Sequence, residues 1–409
     1  MTTTKTILRG YKFQIIPTEE QKEFFSKSFG SSRFVYNHFL NVRKNLYLDA
    51  KKSLSYSKLC IELTKLKSDK EFIWLNEINS QSLQQSLRQL DVAYTRFFKK
   101  TSAFPTFKSK YDDQSFVIPQ HFKLEGNLLY IPKLKKPIKV NNHREFGDNH
   151  KICFVIISKT KTNKYFVSYC VEEEFKSEVK KTDSKIGIDL GLIDLMTFSD
   201  GTKVTNPKIA KKYRSKLIYQ QRQHSKKKKE GKNKEKARLK LANTYEKITN
   251  VKQDYTHKLT SNIIKNHDVI VMENLSITNM MKNHKLARSI QDVSWYEIVR
   301  QLKYKSEWND RQFIQIDRFF PSSKTCNNCN YINQALKMSD RSWKCPNCQV
   351  EMDRDYNASL NIIKQGLSGL GIKSDVKQKH MEASATISGQ PEKIVESMKY
   401  EAPTALASA

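Results

Sequence analysis

Two groups of side chains in this sequence have types and spacings suited to metal chemistry. Cys326 and Cys329 form one Cys-x2-Cys pair, and Cys345 and Cys348 form a second pair after 15 intervening residues. Two pairs at this spacing are typical of a tetrahedral zinc site. Because four thiolates leave no open position on the metal, the sequence predicts a structural zinc site.

Three carboxylates form the second group. Asp189 lies in the apolar stretch "IGIDLG", Glu273 lies in "VIVMENL" at the end of its apolar strand, and Asp355 opens the helical "DYNASLNIIKQG". A carboxylate on a buried strand is costly unless it is paired or binds a cation. One such acid alone would favour a structural role, and we assign that role to Asp353, as a helix cap, and to Asp194, in a turn. Three converging carboxylates instead predict Mg²⁺ or Mn²⁺, and two such ions can cleave a phosphodiester.

The charge of the chain points to the same class of substrate. The net charge is +31 over 409 residues, and residues 208 to 252 hold 17 Lys or Arg against 3 Glu. Such an excess repels itself unless a polyanion binds, and nucleic acid is the expected polyanion. A solvated helical face is the alternative for this stretch. We expect phosphate contacts without sequence preference from four consecutive lysines: Lys226, Lys227, Lys228 and Lys229.

A membrane is not the expected partner. The basic residues interleave with segments that have folded patterns, and no lipidation motif is present. No run of 18 apolar residues occurs, and the start "MTTTKTILRGYKFQ" has no apolar signal region. We therefore expect a cytoplasmic, nucleoid-associated protein.

The elements that must position these residues follow from hydrophobic periodicity. A strand is predicted up to Pro17, and Thr18 with Gln21 predicts a capping box that starts a helical block over about 18 to 101. Short strands then follow, with hairpin tips at "EGN" and "KTN", and we expect them to form a small barrel with the first strand. From about residue 183, strands alternate with helices, which predicts an α/β layer fold. Gly231 is expected to break the long basic helical region.

Together these stretches resemble the TnpB family, transposon-associated RNA-guided nucleases related to type V CRISPR effectors. "YKFQIIPTEEQ" and "FGSSRFVYNHFL" resemble the start of the family. "GIDLGL", "VMENL" and "DRDYNASLNI" resemble its three RuvC motifs, and "SSKTCNNC" with "RSWKCPNC" resembles its zinc ribbon. The segment "LARSIQDVSWYEIVRQLKYKSEW" resembles the helix before the ribbon. The resemblance covers nearly the whole chain.

The resemblance implies an α+β multidomain fold. A wedge-type β-barrel would be split by a helical recognition domain, and an RNase H-like RuvC domain with an inserted zinc ribbon would follow. The implied boundaries are 1–17 and 103–180 for the barrel, 18–102 for the recognition domain, and 181–323 for the nuclease with a basic hairpin over 207–265. They continue with 324–350 for the ribbon and 351–375 for the final nuclease helix. The polar, weakly patterned residues 376–409 are expected to form a disordered tail.

The resemblance also implies an activity. Asp189, Glu273 and Asp355 would be the catalytic Mg²⁺ or Mn²⁺ ligands, while the four cysteines bind structural zinc. Asp355 is preferred to Asp353 because it lies two residues before Asn357, as in the family motif. The implied partners of a monomer are a guide RNA from the transposon end and target double-stranded DNA, with the protein reading a short motif.

Several features are left open by the sequence. Gln84, Gln85 and Arg88 are candidates for reading the motif, although a solvated helix face is the favoured explanation for each of them. Asn330 and Gln349 stand where the family usually has glycine, and the turn at Gln349 is expected to differ for that reason. Two alternative functions remain: a protein-only transposase or resolvase on the same fold, and a non-catalytic RNA-guided DNA-binding regulator.

Overall fold

The computed structural model describes residues 4–228, 230–337 and 339–369. The predicted disordered tail and Lys229 lie outside these residues. The described chain divides into two compact units. The first comprises residues up to 176 together with 230–243, and the second comprises 177–228 and 244–369.

The first unit combines strands with a helical block. Its strands are β1 (Thr4–Ile15), β2 (Gln114–Ile118), β3 (Lys123–Glu125), β4 (Leu128–Tyr130), β5 (Ile138–Lys139), β6 (Lys151–Lys159) and β7 (Tyr165–Lys176). Its helices are α1 (Glu19–Ala50), α2 (Tyr56–Ser68), a 3₁₀ helix (Lys70–Glu77) and α3 (Ser80–Phe98). The predicted capping box is present, since Thr18 and Gln21 each bond to the other's backbone.

The strands of the first unit form two open sheets. One has the order β1-β7-β6-β2 and the other the order β3-β4-β5. A single bridge between Ile15 and Val140 connects them. The prediction of a barrel is therefore wrong, because the strands do not form a closed ring of pairings among the described residues. The expected hairpin tips are confirmed, because β3 and β4 flank Gly126, and β6 and β7 flank residues 160–164.

The second unit is an α/β layer. Its strands are β8 (Lys185–Leu190), β9 (Asp194–Phe198), β10 (Lys203–Thr205), β11 (Val269–Met272), β12 (Gln312–Gln315), β13 (Ser342–Lys344) and β14 (Glu351–Asp353). Its helices are α4 (Ile209–Ser225), α5 (Lys232–Asn266), α6 (Ile277–Met280), α7 (Ala287–Val293), α8 (Trp295–Trp308) and α9 (Arg354–Ser368). The break between α4 and α5 lies at the predicted glycine. The first turns of α5 belong to the first unit.

The central sheet of the second unit has the order β10-β9-β8-β11-β12. β11 pairs in parallel with both β8 and β12, whereas β9 and β10 form an antiparallel hairpin extension. Parallel strands buried on both faces are expected to be continuously apolar, and all four residues of β11 are buried. Ligand sites in such sheets lie at the carboxyl ends of the strands, where Asp189 is the penultimate residue of β8 and Glu273 directly follows β11.

Candidate active site and zinc ribbon

Asp189 and Glu273 are neighbours across two parallel strands. Ile188 of β8 pairs with Met272 of β11, so the next residue on each strand is one of these acids. Neighbouring strands lie about 4.8 Å apart, and paired residues project to the same face of a sheet. The two carboxylates therefore leave the sheet side by side.

Helix α9 packs on the same face and carries Asp355. A Cβ on Gly187 would lie 2.3 Å from the Ser359 carbonyl oxygen, and a Cβ on Gly366 would lie 2.3 Å from Val271. Gly187 is two residues before Asp189 on β8, so both face the helix. Asp355 is one turn before Ser359. The charge of Asp355 acts on Asp189, whereas Ser359 contacts Gly187, so α9 runs opposite to β8 and its first turn lies near the carboxyl end of that strand.

The pKa of Asp189 also indicates that the three carboxylates lie near one another. Burial raises the pKa of Asp189 well above its usual range, and the charges of Glu273 and Asp355 raise it further, while Arg354 opposes them. Burial also raises the pKa of Glu273, and a hydrogen bond from Ser322 lowers it. Carboxylates held together against burial and repulsion have the chemistry of a divalent cation site, so this donor set fits Mg²⁺ or Mn²⁺.

The third acid is held by arginines. Arg354 donates from Nε and Nη2 to Oδ1 of Asp355, at 3.0 and 2.8 Å, and Arg341 Nη1 lies 3.6 Å from Oδ2. Ser322 donates to Glu273. In the described part of the chain, the three carboxylates do not all come within 4.8 Å of one another. Sequence reasoning missed Ser322 and Arg354 as site residues, although both lie inside the quoted motifs.

Asp353 has the structural role expected of it. Its Oδ1 accepts the Tyr356 N–H at 2.8 Å and caps α9, and Oδ2 pairs with Lys203 at 2.9 Å. Burial alone would raise the pKa of Asp353, but Lys203 and the Tyr356 N–H lower it overall. Asp353 and Asp355 therefore have different partners, despite lying only two residues apart.

The four cysteines form a compact sulfur cluster. All four Sγ atoms lie within 4.8 Å of one another, with 3.6 Å between Cys326 and Cys348 and between Cys329 and Cys345. These separations are too long for disulfides and close to the ~3.8 Å edge of a tetrahedron with Zn–S bonds of about 2.3 Å. Hydrogen bonds from Asn328 and the Val350 backbone lower the pKa of Cys348 to about 6, which favours the thiolate that zinc binds.

The two cysteine turns have the same backbone geometry. Asn330 has φ 60° and Gln349 has φ 61°, and their N–H groups bond to the carbonyls of Cys326 and Cys345 at 2.8 and 2.9 Å. The expectation that the turn at Gln349 differs is therefore wrong. The ribbon keeps the left-handed conformation and places a glutamine in it, at an energetic cost that glycine would not have.

Two asparagines connect the ribbon to α9. Asn357 donates to the Thr325 carbonyl at 2.7 Å and accepts from the Asn327 N–H at 2.9 Å. One turn later, Asn361 donates to the carbonyls of Ser322 and Thr325, at 2.8 and 2.6 Å. Both asparagines are buried, so these bonds replace water. The ribbon therefore fixes the start of the helix that carries Asp355.

The candidate nucleic-acid contacts are dispersed. Lys226, Lys227 and Lys228 are exposed directly after α4. On α3, Arg88 is exposed, whereas Gln84 and Gln85 are half-buried. Gln85 borders a small polar cleft of the first unit, together with side chains that include Arg33, Gln89, Lys108 and Gln114.

Trp343 and Lys344, next to each other in the ribbon, have different surroundings. Trp343 is buried in the ribbon core with Met352, Cys326 and Cys345, so its ring packs inside the ribbon. Lys344 is exposed.

Among the residues that the structure describes, no helix has the length and apolarity needed to cross a bilayer.

Comparison with known proteins gives three matches to sequence families. Residues 168–284 match the OrfB_IS605 family, described as "Probable transposase", and residues 295–362 match the Cas12f1-like TNB domain. Residues 1–52 match a family described as "Helix-turn-helix domain". In the described part of that last match, residues 4–52, the chain forms the strand β1 and the single long helix α1.

Relatives cover nearly the full length. A protein of Streptomyces pristinaespiralis named "Putative RNA-guided DNA endonuclease" is 34% identical over 397 residues, covering 93% of this chain and 98% of the relative. The chain belongs to the TnpB family. A second TnpB-family relative, "Putative RNA-guided DNA endonuclease InsQ" of Escherichia coli K12, is 32% identical and covers 88% of this chain and 92% of its own length.

A solved structure is also similar to this TnpB-family chain. It is titled "Cryo-EM structure of the Cas12f1-sgRNA-target DNA complex" and aligns with a TM-score of 0.46 at 14% identity. The alignment covers 87% of this chain and 98% of the Cas12f1 chain.

Proposed function

We propose that this protein is an RNA-guided DNA endonuclease of a transposable element. The single observation that carries the proposal is the register of β8 and β11, which sets Asp189 beside Glu273 under the first turn of α9. Full-length relatives named for RNA-guided DNA cleavage support the same activity. The second unit is then the RuvC-like nuclease, and the cysteine cluster is its zinc ribbon.

The acids would hold the divalent metal ions. Asp189, Glu273 and Asp355 supply hard oxygen donors, and bound Mg²⁺ or Mn²⁺ would activate water and stabilise the leaving oxygen of a phosphodiester. Side chains around the three acids would have other roles. Ser322 fixes the orientation of the Glu273 carboxylate, and Arg341 and Arg354 place positive charge where a phosphate would approach.

Other parts of the chain would hold the nucleic acids. Lys226, Lys227 and Lys228 would contact the phosphate backbone of RNA or DNA, in keeping with the basic composition of their segment. Gln85 and Arg88 on α3, with Gln84, would contribute to reading a short motif beside the target. Amide side chains are suited to this role because they donate and accept hydrogen bonds with base edges. We further propose a monomer that associates with the nucleoid.

The test is guided cleavage. The protein would be expressed with RNA from the end of its transposon and given duplex DNA that matches the guide beside varied short sequences, in Mg²⁺. We expect the RNA to co-purify and a changed guide to redirect the cut. Sequence-specific cleavage by RNase-treated protein would instead support the protein-only transposase. Guided binding without cleavage, in Mg²⁺ and in Mn²⁺, would support the regulator.

A further inference from the structure

The connection between α3 and β2 displays aromatic rings to solvent. We call residues 96–111, "RFFKKTSAFPTFKSKY", the aromatic segment. Its side chains Phe98, Phe104, Phe107 and Tyr111 are 69%, 43%, 54% and 76% exposed. Phe319 is the fourth exposed phenylalanine in the described residues, so three of the four lie in this one segment. Because concentrated exposed apolar surface is typical of interaction sites, these rings make the segment a candidate binding surface.

The aromatic segment is held in place although it has little regular secondary structure. Asn37 of α1 bonds to both the N–H and the carbonyl of Lys108, at 2.8 and 2.9 Å. Pro105 is buried. The rings of Phe98 and Phe104 lie 6.2 and 5.6 Å from that of Tyr94 on α3. Rings that are already ordered lose little conformational entropy when a ligand binds.

Cations alternate with these rings. Phe98 is followed by Lys99 and Lys100, and Tyr111 is preceded by Lys110. These three lysines are exposed, and Lys110 Nζ lies 5.3 Å from the Tyr111 ring centroid. Lysine is depleted from the centres of protein–protein interfaces, so this composition does not favour a protein partner. Rings for base stacking among cations for phosphate are the elements that bind unpaired nucleic acid.

We infer that the aromatic segment is a binding surface for unpaired nucleotides of RNA, which stack on Phe98, Phe107 and Tyr111. The choice of RNA rests on the proposed function, in which RNA is the resident partner. Recognition of single-stranded RNA commonly uses bases stacked on aromatic side chains.

The experiment measures binding of the full chain, freed of RNA and without divalent metal, to an unstructured oligouridine of about 12 nucleotides, a length suited to such surfaces. The variant Phe98→Ala/Phe107→Ala/Tyr111→Ala should bind at least about tenfold more weakly, with an unchanged salt dependence. The matched control is Phe319→Ala, an exposed ring in the second unit, which should bind like the wild type. Thermal unfolding should be the same for all three proteins.

A second variant tests the contribution of charge separately from that of base stacking. Lys99→Gln/Lys100→Gln should flatten the dependence of log affinity on log salt by about 1.4, for two phosphates of a single strand. Normal RNA binding by the triple alanine variant would overturn the inference. An equal loss for the matching single-stranded DNA would overturn the assignment to RNA, and a change only in oligomeric state would show a protein interface instead. Because no metal is present, a failure of guided cleavage would not affect this outcome.

Discussion

Gly187 of β8 and Ser359 of α9 touch through their backbones, at a separation that leaves no room for a methyl group. Ile363 also crowds this point, since its backbone nitrogen would lie 2.9 Å from a Cβ on Gly187. A flexible side chain could yield to such a group, but the backbone of a buried helix cannot. The contact therefore sets how closely α9, and with it Asp355, approaches the sheet.

Gly187→Ala should push α9 away from β8. We expect a loss of about 3 kcal/mol in unfolding free energy, typical of overpacking, and a loss of cleavage that exceeds any loss of RNA binding. Urea denaturation and a cleavage assay would measure the two effects. Gly10→Ala is the matched control, because nothing lies within 4 Å of its Cβ position, and its stability should change by less than about 1 kcal/mol. Equal behaviour of the two variants would contradict the role of the contact.

Charge removal at the acids should separate binding from cleavage. Asp189→Asn, Glu273→Gln and Asp355→Asn should each abolish cleavage in Mg²⁺ while leaving RNA and target binding nearly intact. Asp353→Asn is the control, since asparagine caps a helix as well as aspartate and only the half-exposed pair with Lys203 is lost. A gel assay decides the matter: activity in Asp355→Asn with none in Asp353→Asn would mean that the third acid is wrongly assigned.

The ribbon should be improved by glycine at one position. Gln349→Gly removes the side chain from a left-handed residue and should stabilise the ribbon by about 1 kcal/mol. Asn330→Gly, at the equivalent position of the first turn, should gain less, because asparagine tolerates this conformation better. The rate of zinc loss to a chelator would report the difference. Faster zinc loss from Gln349→Gly than from the wild type would be evidence against strain at this residue.

Purified protein should contain one zinc per chain in all-thiolate coordination. Elemental analysis gives the content, and Cys345→Ser should lower it because the remaining three thiolates hold the metal less tightly. Cleavage should fall as a consequence, through the bonds that Asn357 and Asn361 make to the ribbon. Cys170→Ser, outside the ribbon, is the control. Protein with less than half an equivalent of zinc and an unchanged fold would rule out a structural role.

A buried lysine should give the fold a measurable pH dependence. Lys305 Nζ donates to the His257 carbonyl, Thr260 and Ser261 at 2.7–2.9 Å, and burial lowers the pKa of Lys305 from 10.5 to about 8. The folded state thus binds this proton less tightly than the unfolded state does. The free energy of unfolding should therefore be lowest below about pH 8 and should increase as the pH rises from about 8 to about 10.5.

Comparison with Lys305→Met isolates this effect from other titrations. The stability of the wild type relative to this variant should increase across that pH range, as measured by urea midpoints. Lys303→Met is the control on the same helix, and because Lys303 is exposed it should show no comparable slope. A constant difference between the wild type and Lys305→Met would contradict the lowered pKa.

The local part of the site could be predicted from sequence. Apolar stretches ending in an acid marked β8 and β11, and the segment after Asp353 had the pattern of an amphipathic helix. These features depend on neighbours in the chain. The prediction that Asp189, Glu273 and Asp355 act together also requires that the three side chains converge in space. The register of β8 and β11 supports this for Asp189 and Glu273.

The remaining features depend on which elements pair in space. Closure of the barrel would have required β2 and β3, the free edge strands of the two sheets, to pair with each other, and hydrophobic alternation cannot specify which strand edges pair. Ser322 gives no sign of facing Glu273, 49 residues earlier, until β11 and β12 are paired. The roles of Asn357 and Asn361 become visible only once the buried face of α9 is known.

The Asn357 and Asn361 bonds also bear on when the protein becomes competent during synthesis. A ribosome that has translated as far as Asp353 has made two of the three acids and the whole cysteine cluster. The sheet edge that receives α9 is still uncovered at that moment. The three-acid cluster can form only after α9 has left the exit tunnel and docked, so assembly of the proposed active site is a late event in synthesis.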